Sequence, residues 1–446
     1  MVQSRVKGIL RSGGINFIGM AVRLTLSFLV SILAARYLGQ VGYGTLSIGT
    51  TILAAVSTLT MVGLGQGVSS YLPRYESPET KRDILVSACL IILPVSVGIA
   101  TILIVSAPFL ASNVFDNPSL VPVIRVCALG IPVANIGQLA VSAIRGNKQT
   151  VPKVLIDDIC LQGSRVLLIV SFGVIGLGTV AIAGAYTASL VLSATFGLYY
   201  LVRHTPLLSA SGSITLRKDL LGFSFPLWIS AGMSVIYSGT DTFIIAYFSE
   251  TASVGIYNVV YPLAHHLSII MISIGYIALP TFSEMHANRE YKKMKSDYQS
   301  VTEWILAGTL IPFLMILFFP KQIIELFFGA EFVVGSFALS ILAFGFFFHS
   351  MTGPTSDIVK AIDASRLVMI DGAVAAFANL ILNIILVPRY DYIGAAIATT
   401  ASYALLNGLY SYQVYTRTGA HPFSKRYLVL LCLSVIPLLV WLLSVL

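Results

Sequence analysis

Charge is scarce in this chain. Of its 446 residues only 10% are Asp, Glu, Lys or Arg, whereas a soluble domain carries about 25%. With 57% apolar residues and a mean hydropathy of +0.88, too little polar surface remains to keep soluble domains in water. Cysteine is rare as well. Cys89, Cys127, Cys160 and Cys432 lie in apolar runs without the spacing of a zinc or iron–sulfur site. Each reads as a small hydrophobe. The net charge is +8, yet no basic segment is long or dense enough for a nucleic acid surface. The Walker glycine pattern, HExxH, GxSxG and CxxC are missing, and no soluble segment could house an ATPase. No cofactor and no metal are expected. The energy for any work must come from an ion gradient, the membrane potential or a substrate's own gradient.

What the chain has in abundance is apolar length. Runs of roughly 20 apolar residues cross about 30 Å of hydrocarbon, and thirteen such runs can be counted. They fall near 13–38, 43–65, 84–107, 120–143, 154–175, 178–202, 220–247, 253–280, 300–319, 332–352, 366–388, 391–415 and 427–446. The first follows Arg5, Lys7 and Arg11 but is too long for a cleavable signal peptide. Gly39-Gln40-Val41-Gly42 and Gly176-Leu177-Gly178 are short enough to make tight hairpins. With the N-terminus in the cytoplasm, 21 of the 27 Lys and Arg fall on cytoplasmic segments and 3 on the opposite side. That asymmetry is the positive-inside pattern. An odd count places the C-terminus outside.

The sequence repeats at an offset near 213 residues. Ala35 and Gly42 match Ala246 and Gly255, Asp158 matches Asp371, and Thr187-Ala188-Ser189 matches Thr400-Ala401-Ser402. The expected fold is all-α: two six-helix bundles, 1–204 and 205–416, and one further helix in 417–446. A six-helix repeat keeps its orientation, so the pseudo-two-fold axis would run along the membrane normal. Such repeats mark transporters, with the substrate path between the copies.

Charges at depth cost roughly 2.5–3.5 kcal/mol on the insertion scale and so face a protein interior or water. Arg23 lies near the middle of the first span, Arg165 near the middle of the fifth, and Arg125 toward the outer end of the fourth. Guanidinium groups suit phosphate or carboxylate, so these three are the candidate substrate contacts, against a structural ion pair or carbonyl cap. Asp241 is open to three roles: a pair with Arg23, a proton or sodium carrier, or a hydrogen bond to its neighbours. His265 and His266, near the centre of the eighth span, could line a cavity or carry a proton; packed neutral histidines are the competing reading. Asp157, Asp158, Asp371, Glu303 and His349 sit within about two turns of the cytoplasmic boundary, where interfacial placement explains them. Pro94, Pro132, Pro226, Pro262 and Pro312 can kink their helices.

Three stretches carry a family resemblance: ARYLGQVGYG (Ala35 to Gly44), AIRGNKQTVPKV (Ala143 to Val154) and LVPRYDYIGAAIATTASY (Leu386 to Tyr403). The chain resembles the oligosaccharide flippase, or polysaccharide biosynthesis, family of the multidrug/oligosaccharidyl-lipid/polysaccharide flippase superfamily. The resemblance implies a two-lobed transporter, not an enzyme. It would turn lipid-linked sugars on polyprenyl phosphate or diphosphate over to the outer leaflet, with cavity arginines holding the phosphate. Expected partners are that substrate, membrane lipids, and glycosyltransferases or a polymerase of the same pathway, with no nucleic acid; the chain is expected to act as a monomer. The rival readings are a cation-coupled drug or metabolite exporter of the same fold and a membrane scaffold for glycan assembly.

Overall fold

The computed structural model describes residues 2–205 and 218–429. Most of the expected thirteenth span (from residue 430), Cys432 and most of the linker between the two halves lie outside the described residues. Within them the chain is helical and has no strand. Eight helical stretches are long and apolar enough to cross a membrane. Their outward faces are apolar too: Val105 is 74% exposed and Ile311 67%, a surface suited to lipid rather than water.

Two compact units divide between Phe243 and Ile244. The first holds α1 (Val2–Thr60), α2 (Leu64–Tyr71), α3 (Pro78–Phe109), α4 (Leu120–Gly146), α5 (Thr150–Lys153), α6 (Leu161–Val174), α7 (Thr179–His204) and most of α8 (Lys218–Phe248). A π-helical segment, Val154–Cys160, joins α5 to α6. The second holds α9 (Thr251–His265), α10 (Ile269–Ala287), α11 (Tyr291–Phe318), α12 (Pro320–Phe328), α13 (Ser336–Met351), α14 (Thr355–Ala361) and α15 (Ser365–Thr418).

The amino-terminal part of α8 packs within the first unit. Trp228 Nε1 donates to the Leu59 carbonyl at 2.8 Å. Phe223 packs on Tyr71 at 5.2 Å, with Arg74 over both rings. Gly63, at φ +69, leaves no room for a Cβ against the Ser224 and Trp228 backbone. The start of α8 is thereby built into the first unit.

α1 and α15 are far too long for one crossing. A helix of 54 residues would extend about 80 Å at 1.5 Å per residue. Each is broken by one non-helical residue, Gly39 (φ 68, ψ −178) and Asp391 (φ 53, ψ −141). Gly39 falls in the expected hairpin. Beyond Asp391, a Cβ on Gly394 would lie 2.6 Å from the Leu386 carbonyl carbon, so the two arms approach backbone to backbone. Ser253 Oγ donates to Asp391 Oδ2 at 2.5 Å and anchors that break. Gly176, at φ +76, turns the chain between α6 and α7 as the sequence leads one to expect.

α4 packs against α1, α3 and α7, while α13 packs against α9, α11 and α15. The repeat shows at these contacts. Thr187 Oγ1 donates to the Val126 carbonyl at 3.1 Å, and a Cβ on Gly130 would meet Thr187 at 3.3 Å. In the second unit Thr400 Oγ1 donates to the Ile341 carbonyl at 3.0 Å, and a Cβ on Gly345 would lie 2.6 Å from that hydroxyl. In each unit a threonine lies against a glycine one helical turn beyond the carbonyl that it bonds.

Candidate functional site

In the first unit, Gly19 lets α1 lie close to the π-helical segment. A Cβ there would come within 2.6 Å of Val154 Cγ1 and 2.9 Å of Asp158 Oδ2. One turn further along α1, Arg23 Nε reaches Asp158 Oδ1 at 3.5 Å. Lys153 Nζ binds Asp158 Oδ2 at 2.7 Å and Asp157 at 3.5 Å. The Asp158 side chain is only 1% exposed, whereas that of Arg23 is 44% exposed. Arg23 therefore pairs with Asp158, not Asp241. It is neither sealed in a dry core nor fully engaged.

Arg165 is held differently. Its Nε donates to Ser189 Oγ at 3.2 Å and its Nη1 to Gln162 Oε1 at 3.4 Å. Its guanidinium lies 4.4 Å from the Tyr186 ring centroid. No carboxylate among the described residues pairs with it. A ring face and two oxygens stabilise the cation in place of a counter-ion. Arg125 is exposed, and its Nε donates to the Ile104 carbonyl at 3.4 Å. Asp241 is buried between buried Thr240 and Thr242. A cavity of about 220 Å³ lined by Thr50, Thr51, Ala54, Thr58 and Gly239 includes none of the expected site residues.

In the second unit α9, with Pro262 inside it, ends at His265 and continues through a 3₁₀ turn, His266–Ser268. His266 Nδ1 contacts the Pro262 carbonyl within its own helix. His265 stacks on Tyr261 and meets the edge of Phe346 at 5.2 Å. Tyr403 links Phe346 to His349, with centroids 4.9 and 5.1 Å away. His349 Nδ1 contacts Asn407 Oδ1 at 2.8 Å, and Thr352 Oγ1 donates to the same oxygen at 3.0 Å. His265 thus belongs to an aromatic and hydrogen-bonded cluster within one unit.

Three groups escaped the depth-based reading of the sequence: Asp158, Lys153 and His349. The signal for Asp158 was its match to Asp371, itself buried at 5% exposure. Glu303 accepts a hydrogen bond from the Ser424 hydroxyl. The Ser424 hydroxyl in turn accepts from the Tyr427 amide and caps the helical turn beginning there.

A family model described as "Polysaccharide biosynthesis protein" matches residues 9–286, more than half the chain. The chain belongs to that family. A second model, MatE, matches residues 211–387. Among the chain's relatives, a probable low-salt glycan biosynthesis flippase of Haloferax volcanii is 27% identical over 64% of this chain and 59% of its own. A putative O-antigen transporter of Shigella flexneri is 22% identical over 92% of this chain and 98% of its own. The solved structure of the lipid II flippase MurJ in an inward closed conformation shares the fold, with a TM-score of 0.75 and 16% identity. That match covers 97% of this chain and 92% of that one. The polysaccharide biosynthesis family, the apolar helices and the fold agree on a multi-pass membrane protein.

Within this family member the three arginines form no single constellation. Of the three, Arg23 alone combines an exposed side chain with a long ion pair. Among the described residues no group of three His, Cys, Asp or Glu is placed to hold a metal ion. What Arg23 offers chemically is a fork of N–H donors for a phosphate or carboxylate.

Proposed function

We propose that this protein is a flippase. It moves an oligosaccharide or polysaccharide repeat unit, carried on a polyprenyl phosphate or diphosphate, from the cytoplasmic to the outer leaflet. No covalent bond changes. The headgroup is exposed first to one side and then to the other, while the prenyl tail stays in lipid. In this reading the N-terminus is cytoplasmic, thirteen spans put the C-terminus outside, and the protein works as a monomer beside glycosyltransferases or a polymerase. The family membership and the glycan-flippase and O-antigen-transporter relatives support it.

The observation that carries the site is the exposed, loosely paired Arg23 side chain, the first contact for the phosphate. Arg165 and Arg125 lie along the path, and Asp241, His265 and His266 line it or carry a coupling proton. The test is reconstitution into vesicles with lipid-linked oligosaccharides, scoring headgroup accessibility in the opposite leaflet. Arg23→Gln should lower turnover at least tenfold, the equivalent of about 1.4 kcal/mol, with elution and thermal stability unchanged. Full turnover in that variant removes the assignment. The MatE match favours a second reading, an exporter of drugs or metabolites; dye efflux without turnover of lipid-linked sugar would select it.

A further inference from the structure

We propose that Asp158 is a resident counter-anion, which holds Arg23 while the site is empty and competes with the substrate's phosphate for it. This rests on the reading of Arg23 as the headgroup contact.

Asp158 is buried, and a buried carboxylate needs a cation and hydrogen bonds to remain charged. Lys153 at 2.7 Å meets that need through Oδ2. Oδ1 accepts no hydrogen bond, and its cation is Arg23, 3.5 Å away through Nε. The long contact matters. An Arg–carboxylate pair at full strength is bidentate, at about 2.7–2.9 Å. Arg23 uses one nitrogen, at longer range, and its two terminal nitrogens form no bond to any described residue. A phosphate oxygen can therefore take Arg23 without first breaking a strong pair, and Lys153 keeps Asp158 from being stranded. Once the phosphate leaves, Asp158 regains the guanidinium and disfavours rebinding. The carboxylate thus limits affinity and speeds release.

The π-helical turn supports this arrangement. Val154–Cys160 is one wide segment in an otherwise α-helical stretch, and such turns cost backbone regularity and cluster at functional sites. It carries Asp158, while Gly19 opposite leaves α1 close enough for Arg23 to reach it. A carboxylate needed only to neutralise Lys153 would not require that approach.

The experiment measures binding of farnesyl diphosphate, and separately of inorganic pyrophosphate, to the full chain in nanodiscs with and without anionic phospholipid. Asp158→Asn should bind farnesyl diphosphate about tenfold more tightly, since the competing negative charge is gone. The same variant should turn lipid-linked sugar over several-fold more slowly. Arg23→Gln should weaken binding, and the double variant should bind as weakly as Arg23→Gln. A structural role would lower binding and turnover together. Unchanged or weaker binding in folded Asp158→Asn overturns the proposal while leaving Arg23 its role. Unchanged binding in Arg23→Gln overturns both. Equal tightening for pyrophosphate assigns recognition to the phosphates alone; loss of tightening in anionic lipid assigns the site to bulk headgroups and overturns a substrate role. If Asp158→Asn does not fold, the wild-type chain answers. A membrane-permeant carbodiimide should label Asp158 more when farnesyl diphosphate displaces it from Arg23, and unchanged labelling overturns the proposal.

Discussion

The two units share a packing scheme and differ in charge. Thr187 against Gly130 in the first has its counterpart in Thr400 against Gly345 in the second, down to the carbonyl each hydroxyl bonds. Both units bury an aspartate at the matched position. There the likeness ends. Asp158 lies in a π-helical segment with Lys153 and Arg23 beside it. Asp371 lies in regular α-helix, its Oδ2 accepts no hydrogen bond, and no lysine or arginine pairs with it among the described residues. Arg366, at the place corresponding to Lys153, is exposed. The first unit holds a guanidinium in a cage of Tyr186, Ser189 and Gln162; the second holds His349 on Asn407. The contacts that fix helix spacing match between copies, while the groups that could meet a charged ligand do not.

The largest break in this comparison should come from the cation at the matched position, Lys153 in one unit and Arg366 in the other. Lys153→Met leaves a buried carboxylate with one distant partner and should cost about 3 kcal/mol. Arg366→Met should stay within about 0.5 kcal/mol. Equilibrium unfolding in mixed micelles reads both, and equal losses would erase the distinction. Next comes the glycine pair. Alanine at Gly345 forces a Cβ to 2.6 Å from Thr400 Oγ1 and 3.0 Å from its Cα, an overpacking of about 2 kcal/mol. Alanine at Gly130 meets contacts of 3.3 Å and should cost less than about 1 kcal/mol. Thermal denaturation followed by size exclusion orders them. The smallest effect sharpens the likeness instead. Thr187→Val and Thr400→Val each remove one interhelical hydrogen bond, worth about 0.6 kcal/mol in a membrane, and the two melting shifts should agree.

Much of the fold was legible because hydrophobic length and breaks are local signals. The hairpin glycines, the prolines and the threonine repeat lie in the structure where the sequence put them. The charged cluster was not legible in the same way. Counting residues from a boundary gives depth along a straight helix, and by that measure Asp158 was interfacial. A π turn changes which face a residue presents, and apolar periodicity carries no mark of it. Lys153 and Arg23 are far apart in sequence, so nothing local announced that they share one carboxylate. Arg165 was visible as a deep charge, but its ring and hydroxyl partners on α7 come only from folding. His265 and His266 were placed at mid-span; in the structure they stand where α9 passes into a 3₁₀ turn.

The seating of α8 has a practical consequence. Severing the polypeptide between its two sequence halves, in the linker before Lys218, would deprive the amino-terminal fragment of Phe223 and Trp228. The Leu59 carbonyl and the Gly63 surface would lose their partners. A fragment carried through Phe243 retains them. A fragment made to study the first unit should therefore extend past Trp228 and not stop in the linker.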